Sequence, residues 1–105
     1  MNPFYQEVYE LVAKVPYGKV VSYSQISWYL GKLNQARAVG RAMKYSPSHL
    51  PAHRVVRADG VLVGPSAETR RAALIAEGVF FKPNGSVDMK ACSWQIPDDA
   101  FKECT

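Results

Sequence analysis

The chain has 105 residues, 48% hydrophobic and 21% charged, which is the composition of one globular domain and excludes a disordered or fibrous polymer. Its 13 Lys+Arg against 9 Asp+Glu leave a formal charge of +4, mild for the whole chain. Cys92 and Cys104 are too few for a disulfide scaffold and wrongly spaced for a zinc site, and no apolar run approaches the ~20 residues of a membrane span. The start, Met1 to Glu7, has neither a basic region nor an apolar stretch of the secretory kind. The expectation is one soluble domain over residues 1–105, in the cytoplasm, with no cofactor and no metal.

In chain order, Phe4, Val8, Leu11, Val12 and Val15 recur at helical spacing and predict an amphipathic helix over 3–14, ended by Pro16-Tyr17-Gly18. Val20 and Val21 predict a very short strand. Ser22 and Gln25 form a capping box, so a second helix starts after Ser22 and stops at Gly31. Asn34 is the expected N-cap of a third helix from Gln35 to about Tyr45. Two short helices joined by a tight turn suggest a helix-turn-helix. On the third helix Arg37, Arg41 and Lys44 share one side, edged by the small residues Ala36 and Gly40, while Val39 and Met43 point the other way.

The β-branched runs Arg54–Arg57 and Val61–Val63 flank Asp59-Gly60 and predict a hairpin, which would complete a winged helix. A further helix is expected from about Ser66 to Ala76, with Ala72, Ala73, Leu74 and Ile75 as its apolar contacts. Beyond Gly78 the sequence alternates apolar and turn residues, and Asn84-Gly85 suits a second small hairpin.

The charge is unevenly spread along these elements. From Leu11 to Ala58 there is no Asp or Glu, and Lys14, Lys19, Lys32, Arg37, Arg41, Lys44, Arg54 and Arg57 give +8, against −4 for the remainder. A stretch cleared of carboxylates suits a polyanion, because each carboxylate opposes phosphate contacts. Charge alone also fits an ordinary solvated basic face.

One heptapeptide adds detail. Leu50-Pro51-Ala52-His53-Arg54-Val55-Val56 resembles the active-site signature Pro-Cys-His-Arg-Val of the O6-alkylguanine-DNA alkyltransferases, with alanine in place of the reactive cysteine. Val15-Pro16-Tyr17-Gly18-Lys19-Val20-Val21-Ser22-Tyr23 resembles the family's entry to the helix-turn-helix. Ala36-Arg37-Ala38-Val39-Gly40-Arg41-Ala42-Met43 resembles its recognition helix, and Glu77-Gly78 its His-Glu-Gly segment. The resemblance covers about residues 4–78 and leaves 79–105 as a C-terminal extension. A chain of this size without the cysteine resembles the alkyltransferase-like proteins, which bind alkylated DNA without repairing it.

That resemblance implies a fold that is mostly α with a small β-hairpin, a winged helix-turn-helix domain like the C-terminal domain of the transferases. It implies binding of double-stranded DNA with O6-alkylguanine lesions through the minor groove, extrusion of the lesion into a pocket, and hand-off to nucleotide excision repair proteins by a monomer. Arg37 matches the family's arginine finger, and Tyr23 the tyrosine that rotates the lesion's 3′ phosphate. Ala36 and Gly40 suit close approach to the groove, and Arg41, Lys44 and Arg57 suit phosphate contacts. The pocket falls to Ser46, Pro51, Ala52, His53, Arg54, Glu77 and the loop residues Gly64, Pro65 and Ser66. Ser46 stands where the family usually has asparagine. Alkyl transfer needs a soft nucleophile activated by a base, and the Ala52 methyl group accepts nothing. His53 and Glu77, the remains of the relay, are left with hydrogen bonding and shaping. Rival readings are a residual alkyltransferase and a winged-helix transcription regulator.

Overall fold

The computed structural model describes residues 3–32, 34–62 and 64–97. Helix α1 spans Pro3–Val12 and buries Val8, Leu11 and Val12 completely. Pro3 fits the first helical position, where its missing N–H costs no hydrogen bond. Strand β1, Val21–Ser22, runs directly into helix α2, Tyr23–Tyr29. The junction is the expected capping box: Ser22 Oγ accepts from Gln25 N at 3.0 Å, and Gln25 Oε1 accepts from Ser22 N at 3.0 Å. Gly31 follows the helix at φ 74°, in the left-handed conformation that glycine adopts without steric cost.

Helix α3, Ala36–Lys44, starts one residue later than expected and is not capped by Asn34. Asn34 instead takes the left-handed turn position at φ 63°, which asparagine tolerates better than most residues. The turn is fastened by Ser27, a buried hydroxyl with no place in the sequence argument. It donates to Lys32 O and accepts from Gln35 N. Val39 and Ala42 bury the inner side of α3 against α1 and α2.

Among the described residues Val55-Val56 does not pair across Asp59-Gly60 as the expected hairpin requires. Strand β2, Val55–Val56, follows a 3-10 turn at Ala52–Arg54 and pairs in parallel with β1, Val21 opposite Val55 and Ser22 opposite Val56. Val55 and Val56 are both buried, so this strand has no solvated face, which favours a covered parallel pair over an exposed wing. Asp59-Gly60 does turn the chain, with Gly60 N bonded to Arg57 O, but Gly60 O then accepts from Val87 N at 2.9 Å. A Cβ on Gly60 would lie 2.5 Å from Val87 O, so this approach requires glycine. Val63 and Cys104 lie outside the described residues.

Helix α4 spans Ala67–Ala76, but its inward stripe differs from the expected one. Leu74 is buried, Ala67, Arg70 and Arg71 lie half-buried at helical spacing from it, and Ala72 and Ile75 are exposed. The Asn84-Gly85 turn closes as expected, giving an antiparallel bridge between Phe81 and Val87. Helix α5, Met89–Cys92, then leads the chain back to the sheet. Val20 N bonds to Cys92 O at 2.9 Å and Trp94 N to Val20 O at 2.7 Å, so Ser93 adds a parallel bridge beside β1.

These few strand residues divide the interior in two. Val21 and Val55 point into a core with Val8, Leu11, Ile26 and Val39. Val20 and Val56 point into a second core with Leu62, Leu74, Val87 and Cys92. Each buried Val, Leu or Ile contributes about 1.5–3 kcal/mol of transfer free energy, so both cores help fix the sheet. The sheet in turn fixes the 3-10 turn and α2.

Candidate nucleic-acid interface

The 3-10 turn Ala52–Arg54 faces the C-terminal end of α4, where Glu77 is the C-cap. His53 Nε2 lies 2.6 Å from Glu77 Oε2. Arg54 donates to the same carboxylate from Nε at 2.9 Å and from Nη2 at 2.8 Å, and its Nη1 donates to Val15 O at 2.9 Å. Gly18 N donates to Glu77 Oε1 at 3.0 Å. The Arg54 guanidinium also lies 5.6 Å from the centre of the Tyr17 ring, and Tyr17 OH donates to Ala76 O.

With its side chain only 8% exposed, Glu77 suffers a desolvation penalty that opposes ionisation. The hydrogen bonds from Arg54, His53 and Gly18 N overcome it and bring the carboxyl from the ordinary 4.5 down to about 2. Glu77 is therefore an anion at neutral pH, and it orients the imidazole from Nε2. That arrangement leaves Nδ1 of a neutral His53 as an acceptor, as a base-activated nucleophile would need. The neighbouring position holds the methyl group of Ala52, half-buried, with nothing to deprotonate.

Of the expected pocket residues, the structure brings His53, Arg54 and Glu77 into one bonded cluster beside Ala52. Pro51 caps the 3-10 turn, and Ser46 lies half-buried just beyond α3. Gly64, Pro65 and Ser66 are exposed ahead of α4, and among the described residues none of them shares a hydrogen bond with Ala52 or His53.

The expected DNA-facing residues assemble more closely. Tyr23, Ser24, Ala36, Arg37, Gly40, Arg57 and Ala58 line one open cleft of about 360 Å3. Tyr23, the first residue of α2, rests half-buried on the first core. A Cβ built on Gly40 meets nothing within 4 Å, so the fold itself does not require a small residue there. Arg37 is exposed and forms no side-chain hydrogen bond or ion pair with another described residue. Arg57 forms an ion pair with Asp59 at 3.1 Å, both half exposed, which the sequence reading did not anticipate. Lys44 lies 5.7 Å from the Tyr45 ring centre. Arg41 departs from the cleft: it borders another concavity with Phe4, Tyr5, Gly31, Lys32, Gln35 and Ala38.

Trp28, exposed on α2, was not singled out from the sequence. It stands about 200° around the helix from buried Ile26, and that offset was its available signal. Among the described residues no group of three or more His, Cys, Asp or Glu could hold a metal ion, and no helix is long and apolar enough to cross a membrane.

Comparison with known proteins places these features in a family. The DNA-binding domain of 6-O-methylguanine DNA methyltransferase matches residues 3–79. The chain is 39% identical to the DNA base-flipping protein of Escherichia coli over 97 residues, covering 89% of this chain and 75% of that one. It is 38% identical to alkyltransferase-like protein 1 of Schizosaccharomyces pombe over 85 residues, covering 75% and 79%. The S. pombe protein Atl1, solved in complex with damaged DNA containing O6-carboxymethylguanine, superposes with a TM-score of 0.78 at 34% identity, covering 90% of this chain and 97% of that one.

Proposed function

Because the chain belongs to the 6-O-methylguanine DNA methyltransferase family through its DNA-binding domain, we propose that it recognises O6-alkylguanine in duplex DNA without repairing it. The helix pair α2–α3 enters the minor groove, where Ala36 and Gly40 permit close contact. Arg37 occupies the space vacated by the extruded nucleotide, its planar guanidinium stacking on neighbouring bases. Tyr23 turns the 3′ phosphate, while Lys44, Arg41 and Arg57 hold the backbone electrostatically. Extrusion costs a few kcal/mol and less at a weakly paired lesion, which gives part of the selectivity.

The observation that carries this reading is Ala52 beside an intact His53–Glu77 pair. The base and its orienting carboxylate are in place, and the acceptor of the alkyl group is not. Cys92 does not replace it: that thiol is buried in the second core and accepts from Phe80 N at 3.3 Å. With no nucleophile at position 52, the protein retains the lesion as a cytoplasmic monomer and leaves excision to nucleotide excision repair. The test is a paired assay with labelled O6-methylguanine duplex. Tighter binding to lesion DNA than to the same undamaged sequence, with no label on the protein, is the expected result. Covalent label would establish a transferase, and equal affinities would favour a sequence-directed regulator.

A further inference from the structure

Arg37 borders two clefts, and the function proposed above uses one of them. The second, about 450 Å3, is lined by Ser24, Ser27 and Trp28 from α2 and by Asn34, Ala36 and Arg37 around the start of α3. Trp28 is 73% exposed, and its indole makes no hydrogen bond or ring contact with another described residue. Two other exposed rings have partners: Tyr17 bonds to Ala76 O and faces Arg54, and Tyr45 lies against Lys44. Trp28, like the exposed ring of Phe80, has no such partner among the described residues, and of these two only Trp28 borders the cleft beside Arg37.

Continuity and charge indicate what covers it. Ser24, Ala36 and Arg37 line both clefts, so the two concavities form one surface with Arg37 at the divide. A strand lying against Tyr23 and Gly40 therefore continues past Arg37 toward Trp28. This wall lies within the acid-free, +8 part of the sequence, so no carboxylate of that stretch opposes a phosphate there. The exposed Ser24 and Asn34 offer hydroxyl and amide donors, and the indole offers a flat apolar face.

We propose that the Trp28 cleft grips a sugar–phosphate stretch of the DNA strand beyond the extruded nucleotide, with the indole packed on a deoxyribose and Ser24 and Asn34 bonded to its phosphate. The proposal rests on the DNA-binding reading above. It assigns Trp28 a role opposite to that of Arg37: a backbone contact holds damaged and undamaged duplexes alike, whereas the finger acts only where a nucleotide leaves the stack.

The experiment compares wild-type protein with Trp28→Ala and Trp28→Phe on two duplexes of one sequence, with and without O6-methylguanine. Affinity, tryptophan fluorescence and 2-aminopurine emission are recorded. Trp28 is exposed, so thermal melting of the variants should match wild type. The expected result is a loss of about fivefold to tenfold in affinity for both duplexes with Trp28→Ala, partly restored by phenylalanine. The ratio between the duplexes and the 2-aminopurine signal at saturation should stay unchanged, as should the salt slope, since no charge is removed. DNA should quench tryptophan fluorescence in wild type, and that quenching should be absent from Trp28→Ala. Unchanged affinity for both duplexes would overturn the proposal, as would a loss confined to lesion DNA, which would mean stacking on a base. If wild type shows no preference for lesion DNA, the lesion-sensing reading fails, and the variant's effect on undamaged DNA still decides the Trp28 contact.

Discussion

The cluster around Glu77 and the cleft around Arg37 are both rich in cations, yet they hold them in opposite ways. At Glu77 each partner is committed: one carboxylate takes hydrogen bonds from His53, Arg54 and Gly18 N, and Arg54 is further tied to Val15 O. At the cleft Arg37 is exposed with no hydrogen bond or ion pair to another described residue, and Arg57 is held among them by a half-exposed ion pair. The first region spends its charge inside the protein, and the second keeps its charge for a partner. The bonds at Glu77 make a clamp joining the turn after α1, the 3-10 turn and the end of α4.

This contrast is sharpest at Glu77 itself. Glu77→Gln leaves the half-buried Arg54 cation without its counterion and should cost about 3 kcal/mol of stability, read by urea unfolding. The folded carboxyl titrates at about 2 against an ordinary 4.5, so the unfolded chain binds more protons between those values. Wild-type stability from this group is accordingly full above about pH 4.5 and lost as pH falls through about 2. Acid titration of the Glu77→Gln variant should lack that component.

Arg37→Ala probes the other region and should leave the melting temperature unchanged. Lesion binding should fall about tenfold or more, with the 2-aminopurine signal of the flipped base lost. A retained signal would remove Arg37 from the finger role. Next in size, Lys44→Ala should weaken damaged and undamaged duplexes alike by a few fold and lower the slope of log K against log salt by about one. The smallest effect belongs to Asp59→Asn, which frees Arg57. Affinity should rise less than about twofold, and stability should change by less than about 0.5 kcal/mol, because exposed ion pairs contribute little. A large destabilisation from Asp59→Asn would show that Arg57 belongs with the committed cations.

Local signals in the sequence located most of the helices. The Ser22–Gln25 box and Gly31 bracketed α2 because both ends depend on neighbouring residues alone. The sheet was misread for the opposite reason. Val55-Val56 before Asp59-Gly60 has a hairpin's local chemistry, but its partner, β1, lies more than thirty residues earlier, and pairing at that distance leaves no spacing to read. Glu77 and Arg37 were singled out by motif resemblance, whereas the Arg54–Glu77–Gly18 bonding needed three separate chain segments brought together. The departure of Arg41 from the cleft has a geometric cause. Residues sharing a helical side within about 60° still divide between two concavities when neighbouring elements rise on either flank.

The strap formed by residues 92–94 bears on how portable this DNA-binding unit is. Besides its bonds to Val20, the strap accepts from Gln25 Nε2 through Trp94 O at 3.1 Å, and Gln25 is the residue that closes the cap of α2. The family match ends at residue 79, ahead of all of these bonds. A helix pair transplanted as residues 20–45 would carry Tyr23 and Arg37 in sequence but arrive without the backing that sets the angle of α2. A lesion reader built by grafting must therefore bring a segment about seventy residues downstream, or supply a substitute for it.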